Sequence, residues 1–125
     1  MAFDLASFKN SRDYPRKATT SSSTVISTVV GNGAPNATKI LDVDGNRTYS
    51  TLRNMNGTKD FPAGVDAMKY MYRHAGDAVP TVVQILANGF ILDPKEAFDL
   101  ESPEELYGVS TTVNAVPYNL DRGVG

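Results

Sequence analysis

Runs of β-branched and apolar residues, separated by Gly- and Asn-containing stretches, mark residues 24–53 as strands. The run 24–30, TVISTVV, is β-branched at six of its seven positions, which is typical of a strand. Two further runs, 38–43 and 46–53, flank Asp44-Gly45. Asp-Gly between such runs is a strong hairpin signal, because a type I′ turn requires positive φ at both central residues. The pattern therefore predicts a small antiparallel hairpin or meander.

Residues 61–79 follow a different period. Apolar side chains recur there at steps of three and four residues, and Asp66, Lys69 and Arg73 lie between them. The apolar positions that repeat in this way are Val65, Met68, Tyr72, Ala75 and Val79. This spacing predicts an amphipathic helix over residues 64–75.

Residues 80–92, PTVVQILANGFIL, permit two interpretations. A helix would have Pro80 near its start and Gly89 just past its end, as helix termini favour. The same residues also fit two strands joined by an Asn88-Gly89 turn. The helix is favoured, and either structure is predicted to be buried because the stretch is almost wholly apolar.

Two later segments each combine an N-cap residue, a proline at the next position and a glutamate three residues after the cap. They are Asp93-Pro94-Lys95-Glu96 and Ser102-Pro103-Glu104-Glu105. The predicted N-caps are Asp93 and Ser102, and their capping-box partners are Glu96 and Glu105. Short helices are therefore predicted near residues 94–100 and 103–107.

These elements predict an α+β fold: a hairpin or meander, then an amphipathic helix and short capped helices, with extended arms at both termini. Residues 1–22 are predicted to be an extended, partly disordered arm. Residues 11–24 contain only one large apolar side chain, Tyr14, and so bury too little surface to offset the entropy of ordering. Residues 23–118 are predicted to form a single domain, and residues 119–125 a C-terminal tail.

Composition excludes several classes of function. The 125 residues contain no cysteine, no tryptophan and one histidine, so disulfides, thiolate sites and zinc sites with two or more imidazoles are excluded. No apolar run approaches the roughly 20 residues that span a bilayer, and the first residues lack the apolar core of a signal peptide. The expected location is a virion or a host cytoplasm, and no membrane partner is expected.

The segment from Asp42 to Arg53 is the strongest candidate for a metal site. The first, third and fifth positions of a calcium loop would be Asp42, Asp44 and Asn46. The sixth and twelfth positions, which need glycine and glutamate, are Arg47 and Arg53. Because two cations at these positions would repel Ca²⁺, we predict no metal and no cofactor.

Catalysis by a Ser-His-Asp set would require His74, the one histidine. The sequence has no G-x-S-x-G elbow and no phosphate-binding glycine loop. The position of His74 near the end of the predicted helix suits a surface role. No catalytic residue is assigned, and the protein is predicted not to be an enzyme.

Charge is distributed unevenly along the chain. Residues 1–20 contain four basic residues and two acids, whereas residues 74–121 contain one lysine and eight acids. The arm residues predicted to make contacts are Phe3, Phe8, Lys9, Arg12, Tyr14, Arg16 and Lys17. Flexible cations can neutralise nucleic-acid phosphates, but docking on a protein neighbour is favoured because the excess of positive charge is small.

With no Cys or Trp, Asn- and Thr-rich strands and adhesive arms, the composition resembles small structural proteins of phages and other viruses. This resemblance in style implies a non-enzymatic assembly role, as a capsid-coating, cement or connector subunit. Its partners would be copies of itself or another virion protein. Two alternatives stay open: a nucleic-acid-associated protein that uses the basic arm, and a small ligand binder or enzyme with a pocket between the sheet and the predicted helix.

Overall fold

Residues 23–45 and 47–124 are described by the structure, a computed structural model. Eight strands and one helix follow one another in this part of the chain. They are β1 (Ser23–Val29), β2 (Thr38–Leu41), β3 (Arg47–Asn54), β4 (Met68–Arg73), α1 (Val82–Asn88), β5 (Phe90–Leu92), β6 (Ala97–Leu100), β7 (Glu105–Ser110) and β8 (Val116–Val124). The fold is therefore mostly β.

The strands form two four-stranded sheets in which every neighbouring pair is antiparallel. The first sheet has the strand order β1-β8-β3-β6, and the second sheet has the order β2-β7-β4-β5. Apart from β4 and β5, consecutive strands lie in different sheets, so the chain crosses repeatedly between the two layers. This strand order is that of an eight-stranded jelly roll.

The core lies between the two sheets because alternate residues of each strand face inward. In β8, for example, Val116, Tyr118 and Leu120 are all buried. The core cluster consists of Val29, Ile40, Leu41, Leu52, Met68, Tyr70, Leu92, Leu100, Leu106, Val116, Tyr118 and Leu120. Every strand contributes to this cluster, so the two sheets depend on each other for burial of their apolar faces.

Helix α1 covers the outer face of the second sheet. Its start is fixed by a capping box, in which Gln84 N donates to Thr81 Oγ1 at 3.1 Å and Thr81 N donates to Gln84 Oε1 at 2.9 Å. The small apolar cluster beneath the helix consists of Val82, Ile85, Tyr107 and Val109. The second sheet is therefore packed on both faces. The favoured helix within residues 80–92 is confirmed over Val82–Asn88, but the predicted burial of the stretch is wrong, because only Val82 and Ile85 of the helix are buried.

The amphipathic helix predicted over residues 64–75 is wrong, because Met68–Arg73 form β4. The helical spacing groups Met68 with Tyr72 and leaves Tyr70 off the apolar face. In the strand, Met68 and Tyr70 both face the core and are 0% and 3% exposed. Because β4 lies between β7 and β5, its backbone groups find partners on both sides.

The hairpin predicted around Asp44-Gly45 is also wrong. β2 pairs with β7 in the second sheet, whereas β3 pairs with β8 and β6 in the first sheet. Asp44 and Gly45 therefore belong to a crossing between the sheets, and Asp44 N donates to Pro103 O at 2.8 Å. Long-range pairing has overridden the local preference for a tight turn.

The short helices predicted near residues 94–100 and 103–107 are replaced by a turn, β6 and the start of β7. The extended C-terminal arm is also corrected, because β8 continues to Val124 and pairs with β1 and β3. The predicted α+β fold with several helices is thus a mostly β fold with one short helix in the described residues. No helix in residues 23–45 or 47–124 has the length and apolar character to cross a bilayer.

Candidate functional site

β5 and β6 are edge strands of the two described sheets, and aromatic contacts place them on the same side of the sandwich. Phe90 of β5 pairs with Tyr70, and Phe98 of β6 pairs with Leu52, so both phenylalanines occupy inward-facing positions. They are nevertheless 62% and 52% exposed, whereas Tyr70 and Leu52 are buried. The sandwich is therefore open along this side.

The opening is an apolar cavity of about 510 Å³, which we call the edge cavity. Its lining residues are Tyr70, Tyr72, Phe90, Ile91 and Phe98. The ring centroid of Tyr70 lies 5.6 Å from that of Phe90 and 6.1 Å from that of Phe98. Tilted ring pairs at these distances are favourable, so one buried ring connects the two edge strands.

The phenol of Tyr70 is held in its neutral form. Burial raises the pKa of Tyr70 to about 12, and the charges of Tyr72 and Glu96 add to this shift. A phenol with so high a pKa is a poor base and a poor nucleophile at neutral pH. The lining of the edge cavity therefore favours contact with an apolar group over proton transfer.

The turn between β5 and β6 joins the two edge strands by backbone hydrogen bonds. Lys95 follows Pro94 and has a φ of 71°, as the third residue of a type II turn requires. Glu96 Oε1 accepts from Asp93 N at 2.8 Å. Asn54 brackets the turn, because its O accepts from Lys95 N at 3.0 Å and its N donates to Glu96 O at 2.9 Å.

The side chain of Asn54 is fully buried and hydrogen-bonded. Its Nδ2 donates to Asp66 O and to Leu92 O, each at 3.0 Å, and its Oδ1 accepts from Asn56 N at 2.9 Å. Asn54 ends β3 and Leu92 ends β5, so these bonds link the first sheet to the edge strand of the second. Polar bonds therefore support the open side where apolar packing is incomplete.

The chain that leads from β5 through β6 is acidic. Residues 93–101 contain one lysine and four carboxylates, and all five of these residues are exposed. The four acids, which we call the acidic rim, are Asp93, Glu96, Asp99 and Glu101. Asp99 follows Phe98 directly and accepts from Thr51 Oγ1 at 2.9 Å. Exposed carboxylates therefore accompany Phe98 along this stretch of the chain.

A second cluster of charged side chains surrounds Glu105 at the start of β7. Arg73 Nη1 and Tyr107 Oη donate to its Oε1 at 2.8 and 3.0 Å, and Lys39 Nζ lies 3.5 Å from its Oε2. The hydrogen bond from Arg73 lowers the pKa of Glu105 against the opposing effect of desolvation. Burial raises the pKa of Tyr107, and its hydrogen bond to Glu105 adds to this. The cluster is an ion-pair network that joins β2, β4 and β7, with its carboxylate already engaged.

The residues predicted as helix caps cap no helix, because they lie in turns and strands. The Glu96 side chain reaches back to Asp93 N as in a capping box, but it closes the turn between β5 and β6. Ser102 Oγ accepts from Glu104 N at 3.2 Å, and Glu105 begins β7. Helix starts and turns use the same short-range bonds, which explains why the motif was misassigned.

His74 and Asp42, the first residue of the rejected calcium segment, both lie at the surface. The His74 side chain is 72% exposed and contacts Glu104. Asp42 Oδ1 accepts from Lys39 Nζ at 3.0 Å. No group of three or more side chains able to hold a metal ion occurs within the described residues.

The arm residues predicted to make contacts lie outside the described part of the chain. They are Phe3, Phe8, Lys9, Arg12, Tyr14, Arg16 and Lys17. Their role in protein contacts, and the alternative of nucleic-acid contacts, therefore stay predictions.

The edge cavity was missed at the level of sequence. Phe90 was assigned to the end of a buried segment and Phe98 to a short helix. The available signal was the pair of short apolar runs, Phe90–Leu92 and Ala97–Leu100, on either side of a Pro-containing turn. Two edge strands joined by such a turn would have placed both phenylalanines together.

Comparison of the chain with models of protein families, with curated proteins and with solved structures found no match. A function is therefore inferred from the geometry and chemistry of the edge cavity and its acidic rim.

Proposed function

We propose that this protein is a non-enzymatic assembly subunit whose edge cavity is a contact surface for another protein subunit. A virion component, such as a capsid-coating, cement or connector subunit, is the class of protein that this role suits. The main support for this proposal is that Phe90 and Phe98, at inward-facing positions on two edge strands, are 62% and 52% exposed.

Exposed aromatic side chains at an opening of this kind favour association. Leaving half of each ring in water forgoes about 1 kcal/mol of the burial that a Phe side chain can supply. Aromatic residues are also enriched at the centres of protein interfaces. The edge strands β5 and β6 add backbone groups that a partner strand can pair with.

The strand order is a supporting argument of a weaker kind. Jelly rolls occur in viral capsid and lectin domains and in cupins, and one fold hosts many functions. The topology is therefore compatible with an assembly role, while the exposed aromatic edge is what argues for it.

Sedimentation velocity over a range of protein concentrations tests the proposal. The wild-type chain is expected to associate, and the Phe90→Ser/Phe98→Ser variant is expected to associate at least tenfold more weakly. Val113→Ser is the matched control, because Val113 is 78% exposed but does not line the edge cavity. A wild-type chain that stays monomeric at every concentration would overturn the proposal, as would a double variant that associates as well as the control.

A second candidate function is binding of a small apolar ligand. The volume of about 510 Å³ is within the range of ligand pockets, and the lining is aromatic. This replaces the predicted pocket between the sheet and a 64–75 helix, because that helix is absent. Saturable binding of an apolar fluorescent probe that Phe98→Ser abolishes, by a wild-type chain that stays monomeric, would favour this candidate over assembly.

A further inference from the structure

We propose that the edge cavity receives the N-terminal segment, residues 1–22, of a neighbouring copy of the same chain. This inference rests on the proposed assembly function and names its contact. It draws on five features: the apolar residues of the segment, its charge, its length, the edge of the fold from which it leaves and the outer face of the first sheet.

The apolar residues of the segment match the chemistry of the edge cavity. Phe3, Leu5 and Phe8 lie within six consecutive positions of the sequence. The cavity presents Phe90 and Phe98 as exposed aromatic surfaces, and its volume of about 510 Å³ can hold one or two large side chains. Ring-on-ring contact would bury these surfaces on both partners.

The charges of the two surfaces are opposite. Residues 1–20 contain Lys9, Arg12, Arg16 and Lys17 against two acids. The acidic rim, in the stretch of chain on either side of Phe98, contains four exposed carboxylates against one lysine. In the segment, the basic residues come after the apolar cluster in sequence. In the fold, the acids of the acidic rim likewise come after Phe90. Apolar and ionic contacts between the two can therefore form together. Such complementarity speeds association and fixes the register of two partners.

The segment joins the fold at a point from which it can reach its own edge cavity or that of a neighbour. The segment precedes β1, which is the edge of the first sheet opposite β6. Three strand spacings, about 14 Å, separate these edges, and 22 residues can extend over about 70 Å. Reach is therefore sufficient for either destination.

The outer face of the first sheet decides between the two destinations. A segment that returned to its own cavity along the sheet would cross this outer face. Most outward positions of β3, β8 and β6 there are polar, namely Thr51, Arg53, Asn119, Asp121 and Asp99, whereas Ala97, Pro117 and, on β1, the exposed Ile26 are apolar. Such a face offers little apolar surface to hold Phe3, Leu5 and Phe8 on the way. Contact of one copy's arm with the opposite edge of the next copy is head-to-tail, and repeats of it build rings or open filaments.

Site-directed cysteine cross-linking tests this contact without background from native thiols, because the chain has no cysteine. Ser7→Cys lies beside Phe8 and Ala97→Cys lies beside Phe98, so both leave every aromatic side chain in place. The two single-cysteine chains are mixed under associating conditions and treated with a short bis-maleimide. The expected product is an interchain 7–97 adduct, at least fivefold more abundant than the 7–113 adduct of the matched control Val113→Cys.

The outcomes separate this inference from the proposed function. Association in sedimentation without enrichment of the 7–97 adduct would overturn the arm contact and leave the assembly role standing. A 7–97 link that forms only within one Ser7→Cys/Ala97→Cys chain, at high dilution, would also overturn it, because the arm would then fill its own cavity. Deletion of residues 1–20 is expected to weaken association at least tenfold while leaving the Tm of the isolated subunit nearly unchanged. Loss of folding on deletion would contradict the inference as well.

Discussion

The two sides of the sandwich differ in how closely the two sheets pack against each other. On the β1–β2 side, Ser110 N donates to Val30 O at 2.7 Å, which ties the first sheet to the second. Gly108 lets the layers approach there, since a Cβ at this position would lie 2.6 Å from Ile40 Cδ1 and 3.1 Å from Val29 Cγ1. On the β5–β6 side, inward-facing Phe90 and Phe98 stay more than half exposed.

The difference shows that inward position and burial are separate properties. On the closed side a missing side chain, at Gly108, allows close packing between the layers. On the open side two of the largest side chains are placed where the fold itself cannot cover them. A fold that packs its layers tightly around Gly108 and leaves aromatic residues exposed at the other side has a surface suited to a partner.

The largest expected effect contrasts the centre of the sandwich with its open side. Leu106 is 0% exposed and pairs with Leu41 of β2, so Leu106→Ala should lower the free energy of unfolding by about 2–5 kcal/mol. Phe98→Ser should cost about 1 kcal/mol, because half of its ring is already in water. Urea denaturation of the monomeric chains measures both. Equal costs would mean that the open side is part of the core.

The second-largest effect on stability is expected from loss of the Asn54 side-chain hydrogen bonds that support the open side. Asn54→Ala removes the donor to Leu92 O and Asp66 O, and should cost about 1–3 kcal/mol because buried carbonyls are left without partners. Asn114→Ala is the control, since its side chain is exposed and reaches only Asp66 Oδ2, at 3.4 Å. If the two variants have the same midpoint of urea denaturation, the polar link does not hold β3 to β5.

A smaller effect concerns the response of the open side to alkaline pH. Because burial raises the pKa of Tyr70 from 10.0 to about 12, the unfolded chain loses this proton at a lower pH than the folded chain. The stability contributed by Tyr70 is therefore fully present below pH 10 and is lost as the pH rises toward 12. Thermal melts at pH 8–11 should show a shallower alkaline decline for Tyr70→Phe than for wild type. Identical declines would contradict the buried, neutral phenol.

The smallest effect is expected in the turn that joins the two edge strands. Lys95 has a φ of 71°, in the left-handed region that costs a non-glycine residue roughly 1–2 kcal/mol. Lys95→Gly should raise stability by about 0.5–1 kcal/mol after the added entropy of glycine is subtracted. Lys59→Gly, at an exposed position in another loop, is the control for loss of a lysine. A lower Tm for Lys95→Gly than for Lys59→Gly would show that the lysine side chain itself is needed.

The sequence indicated the β-rich runs of the first half correctly, and it located one helix. β1 coincides with the β-branched run 24–30 and β3 with the run 46–53, and α1 lies where Pro80 and Gly89 bracket an apolar stretch. These properties are local: β propensity and helix-end preferences act over a few residues.

Strand pairing and the edge cavity could not be obtained in this way, because they depend on distant parts of the chain. β1 pairs with β8 at the other end of the sequence, and Asp44-Gly45 became a crossing once β2 and β3 had found partners in different sheets. The contact between Phe98 and Tyr70 across the sandwich follows only if both segments are assigned as strands, in which every second residue faces inward. The capping-box pattern at residues 93–96 led to a helix being predicted in place of β6, because turns use the same side-chain-to-backbone hydrogen bonds as helix starts.

Amide hydrogen exchange at two protein concentrations tests the central claim, use of the open side in association, most directly. At high concentration, the amides of β5 and β6 should exchange at least tenfold more slowly than in the dilute monomer, because a partner covers these edge strands. The amides of β2, at the closed side, should exchange at the same rate at both concentrations. Unchanged exchange in β5 and β6 while the chain associates, or protection confined to β2, would contradict the account.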